Sequence, residues 1–149
     1  MTSWQDYLKL LGGLGHTLER LTQVEKDNNV AASQGDVAGV QACMKQEQVL
    51  SLSLRGYDQK RDNMLAELGL KGVTLNQLED HSPPEFILET RQAVEELRRR
   101  YALFQAASQV TRNTLEVNLR EIERFQAIQA GDKGVAEDRR RDHQRDFRA

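Results

Sequence analysis

Apolar residues in the first thirty positions recur at alternating spacings of three and four, which places them on one face of a helix. These positions are Trp4, Tyr7, Leu11, Leu14, Leu18 and Leu21. Thr2 with Gln5 predicts a capping box at the start, and Gly35 followed by Asp36 predicts the end of this helix and the cap of the next. We therefore expect a first helix over residues 3–33.

A glycine cluster interrupts this first helical pattern at Gly12, Gly13 and Gly15. Each glycine costs about 1 kcal/mol relative to alanine inside a helix. The cluster therefore predicts either a bend or the close approach of a partner backbone.

The second segment repeats the same spacing. Its apolar positions are Val40, Cys43, Leu50, Leu54, Tyr57, Met64 and Leu68. Glu47 and Arg61 fill the two remaining positions of this coiled-coil-like stripe. The pattern predicts a second helix over 36–68 that Gly69 ends, followed by a short turn over 75–80 that Thr74 and Gln77 cap.

The third segment predicts the longest helix, over residues 84–130. Ser82, Pro83 and Glu85 mark its start, with Ser at the cap and Pro at the first helical position. The main stripe comprises Ile87, Val94, Leu97, Tyr101, Phe104, Ser108, Thr111, Leu115, Ile122 and Phe125, and a second stripe comprises Leu103, Val110, Val117 and Ile128. Two stripes are typical of a helix with two neighbours, so the expected fold is all-α, an elongated antiparallel three-helix bundle or coiled coil.

The lengths of these helices predict an uncovered apolar surface. At 1.5 Å per residue the third helix reaches roughly 70 Å, and the first two reach roughly 45 to 50 Å. Its last turns should overhang its partners, and exposed apolar patches of this kind commonly mark binding sites for other proteins. The expected partner-binding residues are Val110, Leu115, Val117, Ile122, Phe125 and Ile128.

Composition narrows the classes of function. The 149 residues carry 21 Lys and Arg against 23 Asp and Glu, so no global field attracts nucleic acid or an anionic membrane. The single cysteine, Cys43, and the absence of a basic and apolar leader favour a soluble protein of the cytoplasm. Residues 132–149 alternate acids and bases and predict a flexible charged tail after a helical domain over 1–131.

Catalytic and metal chemistry find little support in the sequence. His16, His81 and His143 are far apart, and none belongs to the Glu-x-x-His pairs of a dimetal site. The Gly12–Gly15 segment lacks the Gly-Lys-Ser/Thr of a phosphate loop. We therefore expect a protein that is not an enzyme and that needs no cofactor.

A family pattern runs through the second helix and its surroundings. It comprises the Gly35-Asp36 turn, Lys45, Leu50, Leu54, Arg61, Met64-Leu65, Leu68-Gly69 and Thr74-Leu75 with Leu78. This order, with the long last helix, resembles the FlgN-type flagellar export chaperones over about residues 2–130. Members often carry two asparagines three apart in the last helix, where this chain has Gln109 and Arg112. Some also have a gate-docking aromatic beyond that helix, where only Phe147 is found here.

The resemblance implies a chaperone that binds the C-terminal amphipathic regions of hook-associated proteins, which form the hook-filament junction. Such a chaperone prevents their premature assembly and delivers them to the flagellar type III export gate, with at most peripheral membrane contact. An alternative is a structural adaptor or self-associating coiled coil whose last helix closes a homodimer. An injectisome chaperone with other clients is a third hypothesis.

Overall fold

The computed structural model describes residues 2–132, apart from the side chains of Ile122, Gln129 and Asp132, and every regular element in it is helical. Helix α1 spans Trp4–Ser33, α2 spans Val37–Glu67 and α3 spans Ile87–Asp132. Two short 3₁₀ turns, Leu75–His81 and Pro84–Phe86, connect α2 to α3. The tail expected over 132–149 lies outside the described residues from position 133 onward.

The start of α1 differs from the predicted capping box by one residue. The Asp6 N–H donates to the Ser3 hydroxyl at 3.1 Å, and the Ser3 N–H donates to an Asp6 carboxylate oxygen at 3.2 Å. These bonds lower the pKa of Asp6. The predicted pair of Thr2 and Gln5 is therefore wrong, because the adjacent frame offers a carboxylate instead of an amide and frees the Thr2 hydroxyl to bind Glu67 of α2.

The start of α3 also departs from the prediction. Ser82 does not cap an α-helix, since the Pro84–Phe86 turn comes between it and α3. The Ser82 hydroxyl instead lies 3.0 Å from the hydroxyl of buried Thr90, to which the Trp4 indole N–H donates at 2.9 Å. This polar contact fastens the beginning of α3 to the beginning of α1.

Helix α1 lies between the other two helices, and α2 runs antiparallel to it. Near the start of α1, the Arg61 Nε–H donates to the Tyr7 hydroxyl at 3.2 Å. Near the end of α1, Ala31 lies close to Gly39 in the first turns of α2.

Helix α3 runs parallel to α1. Trp4 contacts Thr90 at one end, and Ala32 contacts Asn118 far along the pair. Within the described chain α2 and α3 each pack on α1, and their backbones make no close contact with each other. None of the described helices combines the length and the apolar character that a membrane crossing requires.

The main hydrophobic core lies in the half of the molecule where the chain begins. The most deeply buried residues that α1 contributes belong to its predicted stripe. The connection between α2 and α3 contributes Leu78. The core comprises Trp4, Tyr7, Leu10, Leu11, Leu14, Leu18, Leu65, Leu78, Val94 and Leu97. A smaller cluster of Leu21, Val24, Cys43 and Leu50 continues it toward the α1–α2 turn.

Two glycines of α1 admit side chains from the neighbouring helices. A Cβ on Gly13 would lie 2.8 Å from the Tyr57 hydroxyl, and one on Gly15 would lie 3.1 Å from the Arg100 guanidinium. Arg100 continues across α1 to Glu19, with 3.4 Å between Nη2 and Oε2. The close approach predicted at the glycine cluster is present, but the groups that approach α1 are side chains and not a partner backbone.

The second stripe of α3 has no neighbour among the described residues. Leu103, Val110, Val117 and Ile128 are each about half exposed. The interpretation that α3 packs against two helices through two stripes is therefore wrong. Spacing identifies an apolar stripe, but it does not say whether another helix of the same chain covers it.

Candidate functional site

An open groove of about 770 Å³ lies between the α1–α2 turn and the later turns of α3. Ala32, Val37 and Val40 contribute apolar surface from the turn, and Leu115 and Phe125 contribute it from α3. We call this opening the groove. Phe125 is 61% exposed, so the groove lining includes a large aromatic ring that is open to solvent.

The turn that forms one wall is fixed by local hydrogen bonds. Gly35 has φ of 70°, and the Asp36 N–H that follows it donates to the Ala31 carbonyl at 2.9 Å. Asp36 then caps α2 by accepting the Gly39 N–H at 3.0 Å. A Cβ on Gly39 would lie 3.1 Å from the Ala31 Cβ, so glycine allows α2 to start close against α1.

The other wall is α3, which hydrogen bonds hold beside α1 as far as Asn118. The Thr114 hydroxyl donates to the Asn29 side chain, and the Asn118 amide donates to the Ala32 carbonyl. Since α1 ends at Ser33, residues 119–132 of α3 continue past it for about 21 Å. We call this part of α3 the overhang.

The residues expected to bind a partner fall on two faces of α3. Leu115 and Phe125 line the groove, whereas Val110 and Val117 are both 51% exposed outside it. Val117 follows Leu115 by two positions, or about 200° around the helix, so the two side chains point in nearly opposite directions. Ile128 is exposed on the overhang three residues after Phe125, and the side chain of Ile122 is outside the description.

The sequence pattern alone missed the wall that the turn contributes. Val37 follows the cap Asp36 directly, lies outside the α2 stripe and is exposed. An apolar residue at the first position of a helix is the signal for this wall, but its proximity to α3 depends on tertiary structure.

A buried polar layer lies deeper in the bundle than the groove. Beyond Leu21 the buried positions of α1 include two polar residues, Glu25 and Asn28, which are 4% and 3% exposed. The Thr111 hydroxyl of α3 donates to the Glu25 carbonyl at 2.8 Å, and the Asn28 Oδ1 has no hydrogen-bond partner among the described residues. Glu47 of α2 faces Glu25 in the same layer.

The two carboxyl groups in this layer disfavour each other's charge. Burial, then the charge of Glu47 and the hydrogen bond between the two carboxyls, raise the pKa of Glu25, while Thr111 and Arg112 act in the opposite direction. Ionisation of Glu25 in this layer is therefore unfavourable. The sequence shows that polar residues occupy stripe positions of the helices. It does not show that these residues lie at the same level of the folded bundle.

Replacing Glu25 by glutamine should stabilise the protein at neutral pH. Because the folded chain has the higher pKa, stability is greatest below the ordinary carboxyl value of 4.5 and falls as the pH rises through the raised value. Glutamine has no proton to lose, so we expect Glu25→Gln to match the parent at pH 4 and to gain about 1 kcal/mol at pH 8. Urea unfolding from pH 4 to 8 measures this, with exposed Glu116→Gln as the control. An equal gain at both ends of the range would contradict the assignment.

The structure of residues 2–132 shows how the candidate metal ligands and the single cysteine are placed. No group of three or more His, Cys, Asp or Glu side chains there is placed to hold a metal ion. Cys43 is a buried free thiol whose pKa is raised by burial and by the charges of Asp27, Glu25 and Asp36. That shift disfavours the thiolate, which is the nucleophilic form of cysteine.

The chain was compared with protein families, with curated proteins and with solved structures. No protein-family model, no curated protein and no solved structure matches the chain.

Proposed function

We propose that this chain is a cytoplasmic bacterial export chaperone of the FlgN type, a protein without catalytic activity. In this proposal it binds the C-terminal amphipathic helices of hook-associated proteins, prevents their premature assembly and delivers them to the flagellar type III export gate. The observation that carries the proposal is the groove, which leaves Leu115 and, on the overhang, Phe125 open to solvent.

The shape and lining of the groove support a helical client. A rigid turn forms one wall and a helix forms the other, with apolar side chains on both. An amphipathic helix binds such a surface by placing its apolar positions at i, i+3, i+4 and i+7 into it. Burial of apolar surface drives such binding, so no nucleotide is needed.

The experiment is a direct binding measurement. The purified full chain is titrated by calorimetry with C-terminal fragments of the hook-associated proteins encoded in the same genome. We expect a one-to-one complex with Kd near 1 μM, equivalent to about 8 kcal/mol of binding free energy. Absence of binding to every fragment at 100 μM would contradict the proposed function.

One observation favours the alternative of a self-associating structural protein. Leu103, Val110 and Val117 are spaced by seven residues on an exposed face of α3, which is typical of a coiled-coil seam. Solution mass as a function of concentration separates the two proposals. A tight dimer that Val110→Asp dissociates would support the structural alternative, whereas a monomer that binds fragments supports the chaperone.

A further inference from the structure

The charges that line the groove all have one sign. Asp36 lies on the turn and Glu121 lies on α3, and the described lining contains neither lysine nor arginine. Asp36 uses its Oδ1 to cap α2. Glu121 is exposed on the opposite wall.

The two carboxylates of the groove lie on opposite walls. Asp36 is on the α1–α2 turn, and Glu121 is on α3. A cation brought to the groove is therefore attracted from both sides.

Two other clefts on the described surface carry charges of both signs. The cleft between α1 and the start of α3 is lined by Lys9 and Arg99 as well as by glutamates. The cleft between α1 and α2 is lined by Arg20 and Lys45 beside Asp27. The wholly acidic charge of its lining therefore distinguishes the groove from these two clefts.

We infer that the occupant of the groove is an amphipathic helix of another protein whose apolar face is edged by Lys or Arg. One basic edge meets Glu121 and the other meets Asp36, while the apolar face covers Leu115 and Phe125. This inference rests on the proposed function and adds the charge pattern that selects the client.

A second copy of this chain fits the groove less well. Its overhang offers an apolar edge, but Glu121 and Glu123 lie on it beside Arg120 and Arg124. Such a mixed surface places like charges against the acidic walls, whereas a uniformly basic edge does not.

The test combines variants of the chain with variants of the client. Asp36→Asn retains the cap, because asparagine caps helices as well as aspartate does, and Glu121→Gln retains the shape. The probe is the client fragment that binds most tightly, in its native form and with the lysines and arginines beside its apolar face changed to glutamine. Glu116→Gln removes the same charge from α3 outside the groove lining and serves as the matched control.

We expect each groove variant to weaken binding of the native fragment about two- to threefold and the pair to weaken it about fivefold, since exposed ion pairs contribute little each. Glu121→Gln should have the larger effect, because the first turn of α2 offsets part of the Asp36 charge. Both effects should shrink in 0.5 M salt and disappear with the glutamine-edged fragment. Glu116→Gln should leave binding unchanged.

The outcomes separate this inference from the function on which it rests. A native fragment that binds the parent and the double variant equally well would overturn the charge selection and leave the chaperone proposal standing. Equal binding of the native and glutamine-edged fragments would do the same. A parent chain that binds no fragment, or that dimerises through the groove instead, would overturn both.

Discussion

Replacing Leu78 by alanine should lower the free energy of unfolding by about 3 kcal/mol, because the side chain is 1% exposed and its removal leaves a cavity. Leu78 belongs to the short connection between α2 and α3, yet it packs in the same cluster as Leu14 and Leu97. Urea denaturation monitored by circular dichroism at 222 nm, a wavelength characteristic of helix, measures the loss.

The matched control for Leu78 is Leu88, which has the same side chain but is largely exposed at the start of α3. Leu88→Ala should change stability by less than about 0.5 kcal/mol. A loss below 1 kcal/mol for Leu78→Ala would show that the connection does not seal the core.

Removing the apolar side chains of the groove should abolish most client binding. The double variant Leu115→Ser/Phe125→Ser deletes both of the apolar groups that α3 contributes to the groove lining. Truncation of well-buried interface residues commonly costs about 2 kcal/mol or more each, but the effects are not strictly additive. We therefore expect at least a 100-fold increase in Kd for the hook-associated fragments, measured by calorimetry, with the helix content retained.

The outer face of α3 supplies the control for this experiment. Val110→Ser/Val117→Ser makes two similar polar substitutions in the same helix, at exposed positions outside the groove. We expect it to change Kd less than threefold. If the outer-face variant weakened binding as much as the groove variant, the client would not bind in the groove alone but would also contact the outer face of α3.

Local signals in the sequence predicted the helices well. The expected spans 3–33, 36–68 and 84–130 differ from α1, α2 and α3 by no more than three residues at any end. Stripe periodicity, the Gly35-Asp36 turn and Gly69 depend on neighbouring residues alone. The shift of the first cap from Thr2 to Ser3 shows the limit of such signals, since two overlapping frames satisfied the same rule.

The candidate site was less predictable, because it depends on how the helices align. The length of α3 predicted the overhang, which carries exposed Phe125. Leu115 lies before the overhang, and the Val37 wall depends on how the α1–α2 turn meets α3. Likewise, Glu25 and Glu47 are separated along the chain, and only the antiparallel alignment of α1 with α2 brings them together.

The central position of α1 has a consequence for how the bundle holds together. The backbones of α2 and α3 each contact α1 and make no close contact with each other. Both outer helices place buried leucines against α1, Leu65 from α2 and Leu97 from α3. Unwinding of α1 would therefore release both of its neighbours at once.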